Sequence, residues 1–328
     1  MKICAAIGEA LIDFIPAQKG CALKDVTSFE RVCGGAPCNV AAAVAKLGGR
    51  SRMITQLGKD AFGDYIEEVL NGIGADTSSI LRTDKANTSL AFVSLKADGD
   101  RDFSFYRKPG ADMLFEPSDF KDEWLSDAGI LHFCSVALVE SPMKRTHIKA
   151  IETAEKNGAV ISFDPNIRLP LWDNPEECRA TVKEFCKYAD ILKISDEELE
   201  FVTGCSSIET AVRELFEKYG KLKAVLFSKG KDGAEVITRN CIAKASAVSV
   251  KAADTTGAGD SIIGAFLYCL LKDGITPARL AELPQEKLNE YIGFANYYSS
   301  LSVTRKGAIA SYGTLDELND FIVLQKEG

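Results

Sequence analysis

Histidine is almost absent from this chain: two residues, His132 and His147, in 328. A histidine-rich zinc centre is therefore excluded, and a Ser-His-Asp triad would have to use one of the two. His132 lies in a strand-like apolar run, 130–136, and reads as a core residue. His147 lies in a polar, helix-like stretch and reads as a surface residue. Ten cysteines are present, but no Cys-x-x-Cys. Several, such as Cys134 and Cys269, sit in apolar runs, which fits the reduced, buried thiols of a cytoplasmic protein better than a disulfide framework. No apolar run reaches the roughly 18 residues that a membrane helix needs. Residues 1–15 imitate a short signal peptide, but Glu9 and Asp13 interrupt them and only Lys2 brings positive charge, so they read as a first strand. Positive charge is in deficit overall: 39 Lys and Arg against 47 Asp and Glu leave a net charge of −8. That balance argues against a nucleic-acid or anionic-membrane partner. It does not forbid a small anion held by local amides and a few arginines.

Hydrophobic residues make up 46% of the chain, which leaves ample core for one large α/β domain or two moderate ones. Residues 5–14 and 51–57 read as strands. Residues 38–47 read as an alanine-rich helix ended by Gly48-Gly49. Phe62, Tyr65, Ile66, Val69 and Ile73 fall at helical spacing over 61–73. Two alternating runs, 89–95 and 101–107, flank Ala97-Asp98-Gly99-Asp100, a hairpin signal that suggests a small projecting sheet. From residue 130 the alternation is regular. Strands are expected at 130–136, 159–164, 191–194 and 224–228, with helices at 142–157, 176–188 and 208–219 between them. This is the pattern of right-handed crossovers in a parallel sheet covered on both faces. Ligands of such sheets bind beyond the carboxyl ends of the strands. Asp164-Pro-Asn-Ile-Arg168, Ser195-Asp-Glu-Glu198 and Ser228-Lys-Gly230 all follow strands directly. No linker or internal repeat is visible.

The chemistry concentrates in Asp254-Thr-Thr-Gly-Ala-Gly-Asp260. A strand-like run, 247–250, precedes it and a long apolar helical run, 261–271, follows. A glycine turn that opens a helix presents unpaired N–H groups along the positive end of the helix dipole, which makes an anion site. Asp260 at its edge can take a proton from an attacking hydroxyl, so the pair suggests phosphoryl transfer to an alcohol. A Walker P-loop is absent, and the dinucleotide fingerprint fails because Gly264 comes too late after Gly257-Ala-Gly259. The second glycine site, Gly34-Gly35-Ala-Pro-Cys-Asn39, reads on its own as a tight turn with close helix packing. Arg107 and Arg168 lie near strand ends and stand open between surface charge and ligand contact. Asp196-Glu197-Glu198 is by default a solvated helix start. Its functional reading places one carboxylate near a hydrated Mg²⁺.

Together the two glycine segments resemble the two signatures of the ribokinase-like (PfkB-type) carbohydrate kinases. Residues 105–114 (Phe-Tyr-Arg-Lys-Pro-Gly-Ala-Asp-Met-Leu), 164–172 and 193–199 look like those of bacterial and plant fructokinases within that family. The resemblance spans nearly the whole chain. It implies a doubly wound, mostly parallel α/β sheet flanked by helices, in a single domain over 1–328. It adds a small β-sheet lid from segments near 10–33 and 88–115. It implies MgATP as donor and a sugar hydroxyl, the 6-hydroxyl of fructose, as acceptor. Asp260 would be the base, and the amides of Gly257, Ala258 and Gly259 the anion hole. Sugar contacts would fall on Asp13, Gly34, Gly35, Asn39, Arg107, Arg168 and Asp260. ATP contacts would fall on Lys193, Ser228, Gly230, Gly257, Gly259 and Asn296. Glu198 would hold Mg²⁺ through water, in a motif where Ser195 replaces the family's asparagine. Asp254, Thr256, Ser302, Gly307 and Ser311 match a monovalent-cation site, normally K⁺. The same scaffold would serve a 2-keto-3-deoxygluconate kinase, with Arg107 and Arg168 on the substrate carboxylate. It would also permit a nucleoside kinase, or a sugar sensor that has lost catalysis. An exposed lid edge or face could pair with a second copy.

Overall fold

The computed structural model describes residues 1–18, 20–95 and 101–327, so the 97–100 turn lies outside the described residues. The chain begins with β1 (Ile3–Ile7), β2 (Leu11–Pro16), β3 (Phe29–Gly34), α1 (Ala36–Lys46), β4 (Ser51–Gly58), α2 (Ala61–Gly72) and β5 (Ile80–Thr83). The hairpin strands are β6 (Leu90–Leu95) and β7 (Arg101–Tyr106). The regular part runs β8 (Ala128–Cys134), α3 (Pro142–Lys156), β9 (Val160–Asp164), α4 (Pro175–Cys186) and β10 (Ile191–Ser195). It continues through α5 (Asp196–Thr203), α6 (Ile208–Lys218), β11 (Ala224–Ser228), β12 (Ala234–Thr238) and β13 (Ile242–Ala245). Helices α7 (Ala258–Lys272), α8 (Pro277–Leu280), α9 (Gln285–Ser302) and α10 (Leu315–Glu327) complete it.

These strands form two sheets. The large one has the order β13-β12-β11-β10-β9-β8-β1-β4-β5. It is parallel except at one edge, where β12 runs antiparallel to both β11 and β13. Its central strands are apolar on both faces because helices cover both sides. On one face Cys4, Ala6 and Ile130 pack under α1, α7 and α9. On the other Ala5, Ile7, Leu131 and Phe133 pack under α3, α4 and α6. The small sheet has the order β3-β2-β6-β7.

Three expectations need correction. The run 5–14 is two strands, not one. The chain leaves the large sheet at Gly8, whose φ of 146° falls in the region that glycine favours. A Cβ there would stand 2.7 Å from Cγ of Pro37. After Gly8-Glu9-Ala10 it enters the small sheet as β2. The 247–250 run forms no strand. It leaves the sheet edge after β13 and lines a cavity instead. His147 is fully buried, not superficial. Its Nδ1 meets the Met143 carbonyl at 2.8 Å and its ring lies edge-on to Phe133 at 5.8 Å. His132 is a core residue as read, with Nδ1 against the Ser162 hydroxyl at 3.0 Å. All ten cysteines are free thiols, seven of them buried. Among the described residues no helix is long and apolar enough to cross a membrane.

Candidate active site

Helix α7 carries the site because it can approach α1 closely. A Cβ on Gly264 would lie 2.7 Å from Cβ of Ala43, so the glycine and the alanine face of α1 let the two helices touch. Their first turns then converge. Nδ2 of Asn39, in the first turn of α1, donates to Oδ2 of Asp260, in the first turn of α7, at 2.8 Å. Nδ2 of Asn166 donates to the other oxygen, Oδ1, at 3.3 Å. Burial raises the Asp260 carboxyl above its ordinary value. The Asn39 hydrogen bond and the charges of Lys193 and Arg168 oppose that rise.

Gly257 is the N-cap of α7, with φ of 74°. Its carbonyl accepts from the Ser261 N–H at 2.8 Å and from the Tyr312 hydroxyl at 2.9 Å. The N–H groups ahead of Ser261 have no partner within the helix. That of Ala258 reaches back to the Thr255 carbonyl at 3.3 Å. Beneath this turn lies Lys193: a Cβ on Gly259 would be 3.2 Å from its Nζ. Lys193 is buried and pairs with Asp164 at 3.1 Å. Burial works against its charge, but the carboxylates of Asp164, Glu198 and Asp260 outweigh that and hold it above its ordinary value.

A cavity of about 560 Å³ opens beside the same turn. Ser228, Gly230, Asn296, Ala258 and Gly259 all line it, together with Val248 of the strandless segment. Four of the residues expected at the nucleotide thus share one cavity with the α7 N-terminus. Asn296 donates to the Ser246 carbonyl at 2.8 Å and so holds the cavity wall.

Among the residues expected at the sugar, Asp13 and Gly34 are adjacent. A Cβ at Gly34 would stand 2.1 Å from Oδ2 of Asp13, so glycine is what leaves room for the carboxylate. At Gly35 a Cβ would meet the Glu9 carbonyl at 2.5 Å, with φ of 101°; that glycine serves close backbone packing. Arg107 is buried rather than a solvated surface charge. Its Nε donates to Asp112 at 2.8 Å, its Nη2 pairs with the same carboxylate, and its Nη1 donates to the Val136 carbonyl at 2.9 Å. Arg168 is half-buried and near enough to Asp260 for its charge to be felt there.

Glu198 is the capping-box partner of Ser195 at the start of α5 rather than a solvated charge. Oε2 accepts from the Ser195 N–H and hydroxyl at 3.0 Å each, and Oε1 from the Ile167 N–H at 2.9 Å. Although burial opposes its charge, Lys193 and these hydrogen bonds hold it below the usual carboxylate range.

Asp254 staples two loops. Its Oδ1 accepts from the Thr256 N–H and hydroxyl at 3.0 and 2.7 Å, and its Oδ2 from the Gly307 N–H at 2.9 Å. Ser302 and Ser311 donate their hydroxyls to the Ser299 and Ala308 carbonyls at 2.8 Å each, which leaves their oxygen lone pairs for an acceptor role.

Four further residues shape the candidate site, though nothing in the sequence pointed to them for it. Asp164 and Asn166 stood in a segment noted for its place after a strand and for its likeness to fructokinases, with no role given to either. Glu9 caps α1, its Oε1 accepting from the Ala36 N–H at 3.0 Å. Tyr312 pins the Gly257 carbonyl from 55 residues away, and no local pattern signals it.

The family described as pfkB family carbohydrate kinase matches residues 1–315. Over 327 residues the chain is 40% identical to probable fructokinase-2 of Arabidopsis thaliana, covering 99% of this chain and 97% of that one. Among solved structures, the fructokinase of Xylella fastidiosa with bound ATP superposes with a TM-score of 0.90 at 33% identity, covering 99% of both chains. A double mutant of the Vibrio cholerae O395 fructokinase, with fructose, ADP and potassium ion bound, gives a TM-score of 0.86 at 32% identity over 98% of each chain. The fold is ribokinase-like, and the chain belongs to the pfkB family of carbohydrate kinases.

Proposed function

We propose that the protein transfers the γ-phosphoryl group of MgATP to the 6-hydroxyl of D-fructose. The observation that carries this reading is the position of Asp260, fixed by two carboxamides in the first turn of α7, next to the Ala258 and Gly259 that line the 560 Å³ cavity. Fructose binds against Asp13, Gly34 and Arg168, under the small sheet, which closes as a lid and keeps water from the reacting phosphate. ATP occupies the cavity with its terminal phosphate at the 257–259 turn. Asp260 accepts the hydroxyl proton as the sugar oxygen attacks, and the turn's amides with Lys193 stabilise the charge on the transferring group. Mg²⁺ neutralises phosphate charge when bound, and the ionised Glu198 carboxylate suits it as a partner through water. The Asp254 staple and the oxygens of Thr256, Ser302, Gly307 and Ser311 suit a monovalent cation, which would add fixed positive charge behind the turn. Fructose is favoured over 2-keto-3-deoxygluconate because Arg107 already spends its guanidinium on Asp112 and Val136. The likeness to proteins named fructokinase supports the same choice.

The test is ADP release with fructose, ribose, 2-keto-3-deoxygluconate or adenosine as acceptor, in the parent and in Asp260→Asn. Fructose should be the best acceptor, and the variant should fold normally while losing roughly 10²–10⁴ in kcat. Near-parental turnover by the variant sinks the base assignment. Better turnover of another acceptor sinks the substrate. No ADP release with any acceptor would leave a sensor.

A further inference from the structure

The residues that hold Asp260 are as informative as Asp260 itself. Asn166 sits at φ of 40°, in the left-handed region that asparagine tolerates better than most residues. Its loop is anchored at three points. The Asn166 N–H donates to Oδ1 of Asp164 at 3.0 Å. The Ser135 N–H donates to the Pro165 carbonyl at 3.3 Å. The Ile167 N–H donates to Glu198 at 2.9 Å. A backbone conformation this costly persists only where its surroundings over-determine it. What the loop delivers to the site is one carboxamide, placed on the Asp260 oxygen that Asn39 leaves open.

We propose that Asn166 is a positioning residue for Asp260: with Asn39 it forms a two-amide clamp, one donor on each carboxylate oxygen, that sets the carboxylate plane and keeps it in its proton-accepting form. Each oxygen retains a lone pair, so the clamp leaves room for the substrate proton. It also answers a physical problem. Asp260 is 7% exposed, and burial disfavours the charged form that a base needs. Several ionisable groups act on it from the surrounding elements: Cys38 on α1, Cys134 on β8, Asp164 and Arg168 around the loop, Lys193 on β10, Glu198 on α5, and Tyr312. Lys193 and Arg168 favour the carboxylate and the acids oppose it. The two amides act at hydrogen-bond distance on the carboxylate oxygens themselves.

This inference rests on Asp260 being the base, and the experiment separates the two. Asn166→Gly keeps the left-handed backbone without steric cost and removes the donor. Asn166→Asp keeps the side chain's size and sets a second carboxyl against Asp260. The kcat and kcat/KM of Asn166→Gly, Asn166→Asp and Asp260→Asn are followed from pH 5 to 9 with fructose and MgATP. Losing a hydrogen bond to a charged group should lower the kcat of Asn166→Gly roughly tenfold at neutral pH. Both KM values should stay within about threefold, because the donor that is removed is spent on Asp260 and not on a substrate. A base deprived of a donor to its ionised form titrates higher, so the acid limb should move up by about one pH unit. In Asn166→Asp two carboxyls compete for one charge, and the limb should move further. A lower kcat with the acid limb unmoved in both variants overturns the clamp while leaving Asp260 as base. Near-parental turnover in Asp260→Asn overturns both.

Discussion

At the scale of single residues, the two neighbouring glycines of the first signature do different work. Gly34 makes space for a side chain and Gly35 for a backbone. Alanine at 34 needs only Asp13 to swing aside, whereas alanine at 35 collides with the Glu9 carbonyl and must also hold φ of 101°. Gly34→Ala should therefore fold and melt near the parent while its fructose KM rises by roughly tenfold, the scale of a lost hydrogen bond to a charged group. Its ATP KM should not change. Gly35→Ala should lose stability first. Steady-state kinetics with each substrate varied, alongside thermal melts, distinguish these outcomes. A parental fructose KM in Gly34→Ala removes Asp13 from the sugar site. The sequence exposed the glycines but not this division of labour, because a glycine's purpose lies in what approaches it. Asn39 illustrates the same limit. The resemblance alone put it among the sugar contacts, whereas its amide is directed to Asp260, 221 residues away.

At the scale of elements, the regular alternation after residue 130 was legible because each strand is bounded by polar turns and each helix repeats at its own period. Two elements were not. The first strand ran on because β1 and β2 are both apolar and join through a Gly8-Glu9-Ala10 break that looks like continued strand. The 247–250 run has a strand's composition, yet it passes along the cavity and lies in no sheet. It is fastened instead at Ser246, through Asn296, and at Ala253, whose N–H donates to the Val303 carbonyl at 2.8 Å. A wall held by so few bonds should loosen when one is cut. Asn296→Ala is expected to raise the ATP KM roughly three- to tenfold, the range of one ordinary hydrogen bond, with little change in the fructose KM. Titration of ATP at saturating fructose reads this directly. An unchanged ATP KM would mean that the wall does not contact the nucleotide.

At the scale of the whole molecule, the sheet is covered on both faces, so polar groups facing either helix layer are sealed from water. His147 shows the consequence. Its neighbours Lys144, Arg145 and Lys149 give the stretch a polar look, but Met143, His147, Ala150, Ile151 and Ala154 fall on one buried stripe of α3. Burial lowers the His147 value to about 4, and lowers that of His132 to about 3 with help from the Lys193 charge. Both histidines therefore stay neutral in the fold at pH values where the unfolded chain, titrating near 6.5, takes up protons. The unfolded state binds more protons between pH 6.5 and about 4, so each histidine removes stability as pH falls through that window. Glu9 acts in the opposite direction. Burial raises it to about 7, so the fold binds a proton that the unfolded chain lacks, and stability gained this way is lost as pH rises through 7. The opposing signs mean that the parent's overall acid profile does not isolate any one group. A difference between variants does. His147→Gln keeps a donor for the Met143 carbonyl and cannot titrate, so whatever it costs in packing should be nearly independent of pH. Its stability deficit against the parent should shrink by about 2 kcal/mol between pH 6.5 and 5, or reverse, because only the parent is penalised for keeping a neutral histidine. Urea unfolding of both proteins at the two pH values measures that difference. A deficit of equal size at both would show that His147 takes up its proton in the folded state, and that α3 opens to water where the packing closes it.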